Sequence, residues 1–265
     1  MAIYITGDKH GNIRGLSSAN WETGCHLSRE DYLVILGDFG LVWSQEESDS
    51  ERYWLDWLND KPWTTLFIDG NHENFDRLNQ FPVEEWHGGC VHKVRENVIH
   101  LMRGYVFDID GKKCFTMGGA PSHDIEDGIY DSLSEVPGYI ARNMYARYRI
   151  NHLSWWAEEM PSLKEYKRAN RNLAEANYEV DFIFTHEAHC SAKIYLGYYD
   201  FKGGDNENLS MWLNTLLYNV KYSRWYFGHY HLERVAPDRC ECLYDKIKQI
   251  AYWKLIRLDL KGLAF

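Results

Sequence analysis

Five short apolar segments of this sequence each run directly into a turn that carries aspartate, asparagine or histidine. The segments and their turns are Ala2–Thr6 with Gly7-Asp8-Lys9-His10-Gly11, Leu33–Leu36 with Gly37-Asp38, Leu66–Ile68 with Asp69-Gly70-Asn71-His72-Glu73, Phe182–Phe184 with Thr185-His186-Glu187, and Trp225–Phe227 with Gly228-His229-Tyr230-His231. Such segments, bounded by Gly, Asp and His, are typical of buried strands. The carboxyl ends of parallel strands share one edge of a sheet, and ligand sites lie outside that edge. The pattern therefore predicts a sheet with one polar edge.

The residue types in these turns suit a site for two divalent metal ions. Two ions a few ångströms apart need a shared carboxylate to offset their repulsion, and neutral imidazole and amide ligands leave room for water and a substrate oxygen. Neighbouring glycines let the backbone turn tightly and a substrate approach. Each turn alone is equally consistent with ordinary turn chemistry. The five together, in this order, predict metal ligands.

Length and composition indicate one globular domain. The chain has 265 residues, of which 45% are hydrophobic and 15% aromatic, which is enough for a sizeable core. No linker, repeat or low-complexity segment divides it. We therefore predict a single domain over residues 1–265.

The charge and the cysteines restrict the partners and the compartment. A net charge of −10 argues against a broad nucleic-acid surface, although it allows a local cationic pocket for one phosphate. No apolar run approaches the roughly 20 residues that a membrane span requires, and no signal-like segment precedes the first strand. The six cysteines include no C-x-x-C pair and are interpreted as reduced thiols. We expect a cytoplasmic protein that does not bind a membrane.

The predicted elements favour an α/β fold. Nine strands are predicted: Ala2–Thr6, Tyr32–Leu36, Thr64–Ile68, Val98–Leu101, Tyr105–Ile109, Lys113–Met117, Asp181–Thr185, Arg224–Phe227 and Tyr252–Leu258. Three helices are predicted: Ser44–Asn59 with Ser44 and Glu47 as a capping box, Leu163–Asn177 as an exposed helix, and Asn208–Val220 with a leucine face. The first part alternates strand and helix, which favours parallel pairing, whereas 98–117 is interpreted as an antiparallel meander. A mixed sheet, or two sheets packed face to face with helices outside, fits both.

The five turns resemble the successive sequence blocks of the calcineurin-like metallophosphoesterases, and the resemblance extends from Asp8 to His231. It implies a four-layer α/β/β/α sandwich of two mixed sheets with two metals at one sheet edge. The run Gly37-Asp38-Phe39-Gly40, followed by Trp43, is similar to a group of bacterial and phage members of undefined substrate.

The resemblance also implies a role for each residue of the turns. It implies seven metal ligands: Asp8, His10 and His231 for one ion, Asn71, His186 and His229 for the other, and Asp38 as the bridge. His72 corresponds to the catalytic histidine of the family. In the implied mechanism a metal-bridging hydroxide attacks phosphorus, while the metals and His72 stabilise the phosphoryl oxygens and His72 protonates the leaving group. Ligands of this type suit two Mn²⁺ ions, which we take as the default, with Fe²⁺ or Zn²⁺ as alternatives.

The second turn limits the choice of substrate. Protein serine/threonine phosphatases of the family carry an arginine just after the Gly-Asp, and Phe39, Gly40 and Leu41 cannot supply a guanidinium group, which puts protein phosphatase activity in doubt. We therefore favour a phosphodiester over a small phosphomonoester, with a small phosphorylated or nucleotide-like substrate. Two alternatives stay open: a non-catalytic binding scaffold on the same fold, and a nuclease acting on DNA or RNA. The sequence does not predict the oligomeric state.

Several residues outside the ligand set are candidates for substrate contacts. Trp43 either stacks on a base or aryl group at the rim or belongs to the core. His123 and Asp124 follow Gly118-Gly119, where backbone amides can approach a phosphate, or they belong to an ordinary surface turn. Glu73 either orients His72 or is a solvated loop carboxylate. The arginines of 142–149 meet a phosphate or cover a solvated face.

Overall fold

The five strands that precede the polar turns all form, and they are divided between two mixed sheets. The computed structural model describes residues 1–199 and 205–250. Its strands are β1 (Ile3–Thr6), β2 (Tyr32–Leu36), β3 (Thr64–Ile68), β4 (Val83–Trp86), β5 (Gly89–Arg95), β6 (Val98–Leu101), β7 (Val106–Ile109), β8 (Lys112–Met117), β9 (Ile129–Tyr130), β10 (Arg149–Ile150), β11 (Phe182–Thr185), β12 (Arg224–Phe227), β13 (Arg234–Ala236), β14 (Cys240–Cys242) and β15 (Lys248–Gln249). The predicted strand Tyr252–Leu258 lies outside the described residues.

Both large sheets have a parallel centre and antiparallel edges. The first has the order β15-β1-β2-β3-β6-β5-β4, in which β1, β2, β3 and β6 are parallel. The second has the order β13-β14-β12-β11-β8-β7, in which β8, β11, β12 and β14 are parallel. The α/β class with two mixed sheets is therefore confirmed.

Six α-helices occur within the described residues, and the longer ones lie on the outer sides of the two sheets. The six are α1 (Asp49–Asn59), α2 (Phe75–Leu78), α3 (Gly138–Ala141), α4 (Leu163–Glu175), α5 (Cys190–Leu196) and α6 (Asp205–Asn219). Alternate residues of each strand point to opposite faces, so that Val34 joins the core between the sheets while Leu33 packs on the outer side with Leu55 of α1. On the far side, α4, α5 and α6 cover the second sheet. The order of layers is helix, sheet, sheet, helix.

The predicted meander over 98–117 is wrong. β6 pairs with β3 and β5 in the first sheet, and only β7 and β8 form an antiparallel hairpin, which belongs to the second sheet. The chain crosses between the sheets at Met102–Gly104. Arg103 is buried there against Asp69, and Gly104 turns with a φ of 76° while its N–H donates to the carbonyl of Thr116. These contacts fix the segment that connects the two sheets.

Helix α1 begins five residues later than predicted. Its capping box is formed by Ser48 and Glu51, with the Glu51 N–H 3.2 Å from Ser48 Oγ and the Ser48 N–H 2.9 Å from Glu51 Oε2. The predicted cap is wrong because the Ser44 N–H already donates to Glu51, and because Glu47 pairs with Arg95.

The other two predicted helices are close to their expected bounds. α4 is not a fully exposed helix, because Ala169 and Leu173 are buried against the second sheet. In α6, Leu209, Leu213 and Leu216 form the predicted buried face. Within 1–199 and 205–250, no helix is long and apolar enough to cross a membrane.

A long excursion between β8 and α4 has a small core of its own. It contains β9, β10 and α3, and its centre is formed by Val136, Ile140 and Ile150. β10 begins at Arg149, so this excursion carries a cation on a paired strand rather than on a free loop.

A buried histidine makes the stability of this fold depend on pH. His189 caps α5: its Nδ1 accepts a hydrogen bond from the Ala192 N–H at 3.2 Å, and its Nε2 lies 3.1 Å from Cys240 Sγ. Burial lowers the pKa of His189 to about 4. The unfolded chain therefore gains a proton at this residue below about pH 6.5 while the folded chain does not, and stability is lost as the pH falls from about 6.5 to about 4.

We expect His189→Asn, which keeps a capping side chain, to reduce this loss by about 3 kcal/mol. The measurement is urea unfolding of both proteins at a series of pH values. His26→Asn, a change at an exposed histidine, is the control. If the free energy of unfolding depends on pH in the same way in the parent and in the His189 variant, His189 is not the titrating group.

Candidate metal centre

The carboxyl ends of the central strands bring the polar turns together where the two sheets meet. In the first sheet Thr6 is aligned with Ile35, and Leu36 with Ile68, so the turns after β1, β2 and β3 are neighbours. In the second sheet Thr185 is aligned with Phe227, which places the turns after β11 and β12 side by side. The sheets are joined at this edge because His186 Nδ1 donates to the Leu36 carbonyl at 2.7 Å.

Four of the predicted ligands have left-handed backbone conformations. The φ angles are 45° at His10, 46° at Asp38, 69° at His229 and 50° at His231. Such conformations cost roughly 1–3 kcal/mol each and are concentrated at functional sites. Four such residues among the predicted ligands are consistent with a functional site, although left-handed residues also occur elsewhere in the chain.

Two glycines permit the close packing of the ligands. A Cβ on Gly37, whose φ is 91°, would lie 2.2 Å from His186 Nδ1. A Cβ on Gly70 would lie 2.1 Å from Asp38 Oδ1. No side chain fits at either position without displacing a predicted ligand.

The first group of candidate ligands consists of Asp8, His10 and His231. The Nε2 atoms of the two histidines are 3.0 Å apart, and they lie 4.0 Å and 3.1 Å, respectively, from Asp8 Oδ2. Asp8 is buried, whereas both histidines are exposed. The group therefore faces solvent on its histidine side.

The second group consists of Asn71, His186 and His229, with Asp38 beside them. Because His186 Nδ1 donates to Leu36, its Nε2 is the free ring nitrogen, and it faces Asn71 Oδ1 and Asp38 Oδ1, each at 3.3 Å. His229 is held by its backbone N–H, which donates to Asp8 Oδ1 at 2.9 Å. The ring of His229 lies 5.0 Å from that of His186, measured between centroids.

Asp38 lies between the two groups. Its Oδ1 is 3.3 Å from His186 Nε2, and its Oδ2 is 3.7 Å from His10 Nε2, so one oxygen faces each group. The backbone N–H of His72 donates to Oδ1 at 2.8 Å and fixes the carboxylate. Asp38 is thus placed as a bridging carboxylate would be.

The arrangement fits divalent cations. Ligand atoms held about 2.1 Å from one ion are separated by roughly 3–4 Å. The first group lies in this range, as do the contacts of His186 with Asn71 and Asp38, and the ligand atoms of Asp38, His186 and His229 all lie within 4.8 Å of one another. Asp8 Oδ2 is buried and accepts no hydrogen bond from the described residues. Burial alone would lower the pKa of His186, but the carboxylates of Asp38 and Asp8 raise it to about 10. Two buried carboxylates stabilise a positive charge placed beside them.

His72 lies on the open side of this cluster. Its ring centroid is 4.9 Å from that of His10 and 5.6 Å from that of Trp43. Burial lowers the pKa of His72, so its imidazole is neutral at neutral pH. The ring is also close enough to His10 and Asp38 to belong to a third group of potential ligands.

The predicted substrate residues are also at this edge. Trp43 is half-buried between His72 and Trp156, with a centroid distance of 5.5 Å to the latter. The ring of His123 is 5.3 Å from that of His229. Asp124, the next residue, forms a close ion pair with Arg149, which places a guanidinium group at the rim of the site.

Neither interpretation of Glu73 is correct. Glu73 is fully buried, and its carboxylate accepts hydrogen bonds from the N–H groups of Phe39 at 2.7 Å and Gly40 at 3.3 Å. It therefore supports the turn that carries Asp38 rather than the ring of His72.

Some residues of the site had no recognisable signal in the sequence. Asn71 Nδ2 lies 3.4 Å from Ser122 Oγ, which is itself bound by Glu159 at 3.0 Å. Tyr230, between two predicted ligands, donates to the buried carboxylate of Glu187. These contacts join residues far apart in the chain, and no local motif indicates them.

Comparison with protein-family models and with curated protein sequences finds no match to this chain. Among solved structures, it is similar to the crystal structure of a phosphopantetheinyl hydrolase from Mycobacterium tuberculosis. The two share 12% sequence identity with a TM-score of 0.40, over 92% of this chain and 88% of that chain. A likeness of this degree does not assign a family, and membership of the calcineurin-like metallophosphoesterases stays a prediction.

Proposed function

We propose that this protein is a phosphoester hydrolase with two divalent metal ions. The observation that carries the proposal is the position of Asp38, whose two carboxylate oxygens face two separate groups of candidate ligands. One ion would be held by Asp8, His10 and His231, the other by Asn71, His186 and His229, with Asp38 shared. Mn²⁺ is the proposed metal, with Fe²⁺ or Zn²⁺ as alternatives.

The chemistry follows from what such a site supplies. Bound ions would lower the pKa of an attacking water and offset the negative charge on phosphoryl oxygens. His72, neutral at neutral pH, would donate its ring N–H to a phosphoryl oxygen or to the leaving oxygen. Trp43 provides an aromatic face beside that ring for a planar leaving group.

A guanidinium group at the rim supports a phosphorylated substrate. Residues 39–41 carry no cation, but Arg149 stands next to the 123–124 turn that contacts His229. Burial lowers the pKa of His72, Asp38 raises it, and His10 and Arg149 lower it further, so the charge of Arg149 acts on the ring that would face the phosphate. We infer that Arg149 binds a phosphate oxygen of a small phosphodiester or nucleotide-like substrate.

The test of the proposed function is hydrolysis of bis-p-nitrophenyl phosphate and p-nitrophenyl phosphate by protein stripped with a chelator and reloaded with one metal at a time. We expect no activity without metal and recovery with Mn²⁺, faster on the diester. His72→Ala should keep both ions and lose roughly 10²–10⁴-fold in kcat. Two bound ions with no turnover of any phosphoester would instead favour the binding scaffold, and absence of bound metal would refute the site.

The role of Arg149 has its own test. Arg149→Ala is expected to lower kcat/KM by about 10–100-fold, because a charge-assisted hydrogen bond to phosphate is lost. The matched control is Arg147→Ala, which removes an exposed arginine paired only with Glu126. Both variants are assayed on both substrates after circular dichroism shows that they are folded. Equal kinetics for the two variants would exclude Arg149 from substrate binding.

A further inference from the structure

A cavity of about 650 Å³ lies beside the metal centre but includes none of the seven predicted ligands. Its walls are mainly apolar and are formed by residues such as Phe75, Leu78, Met102 and Met160. The volume is in the range of small-molecule sites in proteins. The start of α4, at Leu163, forms part of its mouth.

The charged groups in the floor of the cavity satisfy one another. Arg103 Nε donates to Asp69 Oδ2 at 2.7 Å, and its Nη2 donates to the Glu158 carbonyl at 2.8 Å. Both side chains are almost fully buried. A ligand therefore meets no unpaired buried charge in this part of the floor. Glu158 and Glu165 also line the cavity, and their negative charge disfavours the binding of an anion.

A buried histidine in the same floor has one nitrogen without a partner. His100 Nε2 lies 3.0 Å from Asp69 Oδ1, and its Nδ1 lies 3.1 Å from His92 Nδ1. We assign the proton of His100 to Nε2, where it donates to the carboxylate; its Nδ1 then accepts from the Nδ1–H of His92. His92 Nε2 is then an acceptor, and it makes no hydrogen bond with the described residues.

His92 is only 2% exposed and lines the cavity, so this acceptor is available to a molecule inside it. Burial, with a smaller effect of His100, lowers the pKa of His92 to about 4, and the ring is neutral at pH 7. Because Nε2 has no protein partner among the described residues, a donor on a ligand in the cavity can form a hydrogen bond with it.

We propose that this cavity is a second binding site, for a neutral, largely apolar molecule that donates one hydrogen bond to His92 Nε2. Aromatic N–H or O–H compounds are the chemical class that meets these requirements. The apolar walls bind the ring, and the His92 acceptor orients it. The Tyr166 hydroxyl also lines the cavity and has no hydrogen-bond partner among the described residues, so it is a second polar group that a ligand meets.

The probe is indole, compared with 1-methylindole, which has the same ring without the donor. Binding to the metal-loaded full chain, in the absence of any phosphoester, is measured by calorimetry and by the ¹⁵N resonances of the histidine side chains. We expect indole to bind with a dissociation constant on the order of 1 mM, to shift the Nε2 resonance of His92, and to bind about tenfold more tightly than 1-methylindole.

Two variants complete the test. His92→Phe should bind both indoles equally, whereas His92→Gln, which keeps a side-chain acceptor, should retain a preference for indole. No binding of indole up to its solubility limit, or equal binding of the two compounds by the parent protein, would overturn the proposal. If the variants fail to fold, the comparison of the two compounds on the parent decides alone. Because no hydrolysis is measured, failure of this site and failure of the proposed activity are distinguishable.

Discussion

Asp38→Asn is expected to lower phosphoester hydrolysis by about 10³-fold or more and to reduce the metal content of the protein. Several kcal/mol of transition-state stabilisation are attributed to bound ions in such sites, and each 1.36 kcal/mol corresponds to a factor of ten. The amide keeps the shape of the side chain but removes the negative charge that faces both groups of ligands. Loss of that charge leaves the repulsion between two ions without its main compensation.

The measurement combines metal analysis of the dialysed protein with kinetics at saturating Mn²⁺. Asp49→Asn is the control, because Asp49 has a 99% exposed side chain at the start of α1. Unchanged metal content and activity in the Asp38 variant would contradict the bridging role. Loss of activity with full metal content would point instead to a role in orienting the attacking water.

Arg103→Met is expected to lower the free energy of unfolding by about 3–5 kcal/mol, the largest effect on stability that we predict. The change removes the guanidinium that pairs with the buried Asp69 and leaves this carboxylate with the His100 contact alone among the side chains that the structure describes. The Asp69 side chain is only 1% exposed in the folded protein, so its carboxylate is poorly hydrated once the guanidinium is removed.

Urea unfolding at pH 7 measures this effect, and Arg171→Met is its matched control. Arg171 and Glu175 form an exposed pair on α4, for which less than about 1 kcal/mol is expected. Adding Asp69→Asn to Arg103→Met removes the buried charge and should recover part of the loss. If Arg103→Met lowers the free energy of unfolding by no more than Arg171→Met does, the charge of Asp69 is neutralised in another way.

The polar edge could be predicted from sequence because each of its signals is local. A strand, a glycine and a ligand occupy adjacent positions at Leu36-Gly37-Asp38, so the pattern is recognisable from neighbouring residues alone. The convergence of the turns followed from the rule for parallel strands. The predicted ligands therefore lie together, although whether they bind metal stays a prediction.

The errors have a different physical origin. Both Ser44/Glu47 and Ser48/Glu51 match a capping box, and contacts of the two glutamates with Arg95 and Arg77, distant in sequence, decide between them. The strand over 98–101 has no local feature that assigns it to one sheet. Its pairing with β3 and β5 is a long-range contact, as is the ion pair between Arg103 and Asp69 just after it, residues 34 positions apart.

The same limit applies to the substrate side of the site. The segment 142–149 contains three arginines in a similar local context. Only the tertiary structure distinguishes Arg149, which pairs with Asp124 beside the site, from Arg147, which pairs with Glu126 at the surface. His92 has no companion at ligand spacing in the sequence, and its unpaired nitrogen is visible only when its partner His100 is placed.

The division of the candidate ligands between the two sheets has a consequence for folding. Asp8, Asp38 and Asn71 follow strands of the first sheet, whereas His186, His229 and His231 follow strands of the second. Contacts between residues so far apart in sequence form slowly, because the intervening chain must first be ordered. The centre therefore does not exist until both sheets have docked, and an ion held there would act as a cross-link added at the end of folding. Release of such an ion would then report on separation of the sheets rather than on local opening of a loop.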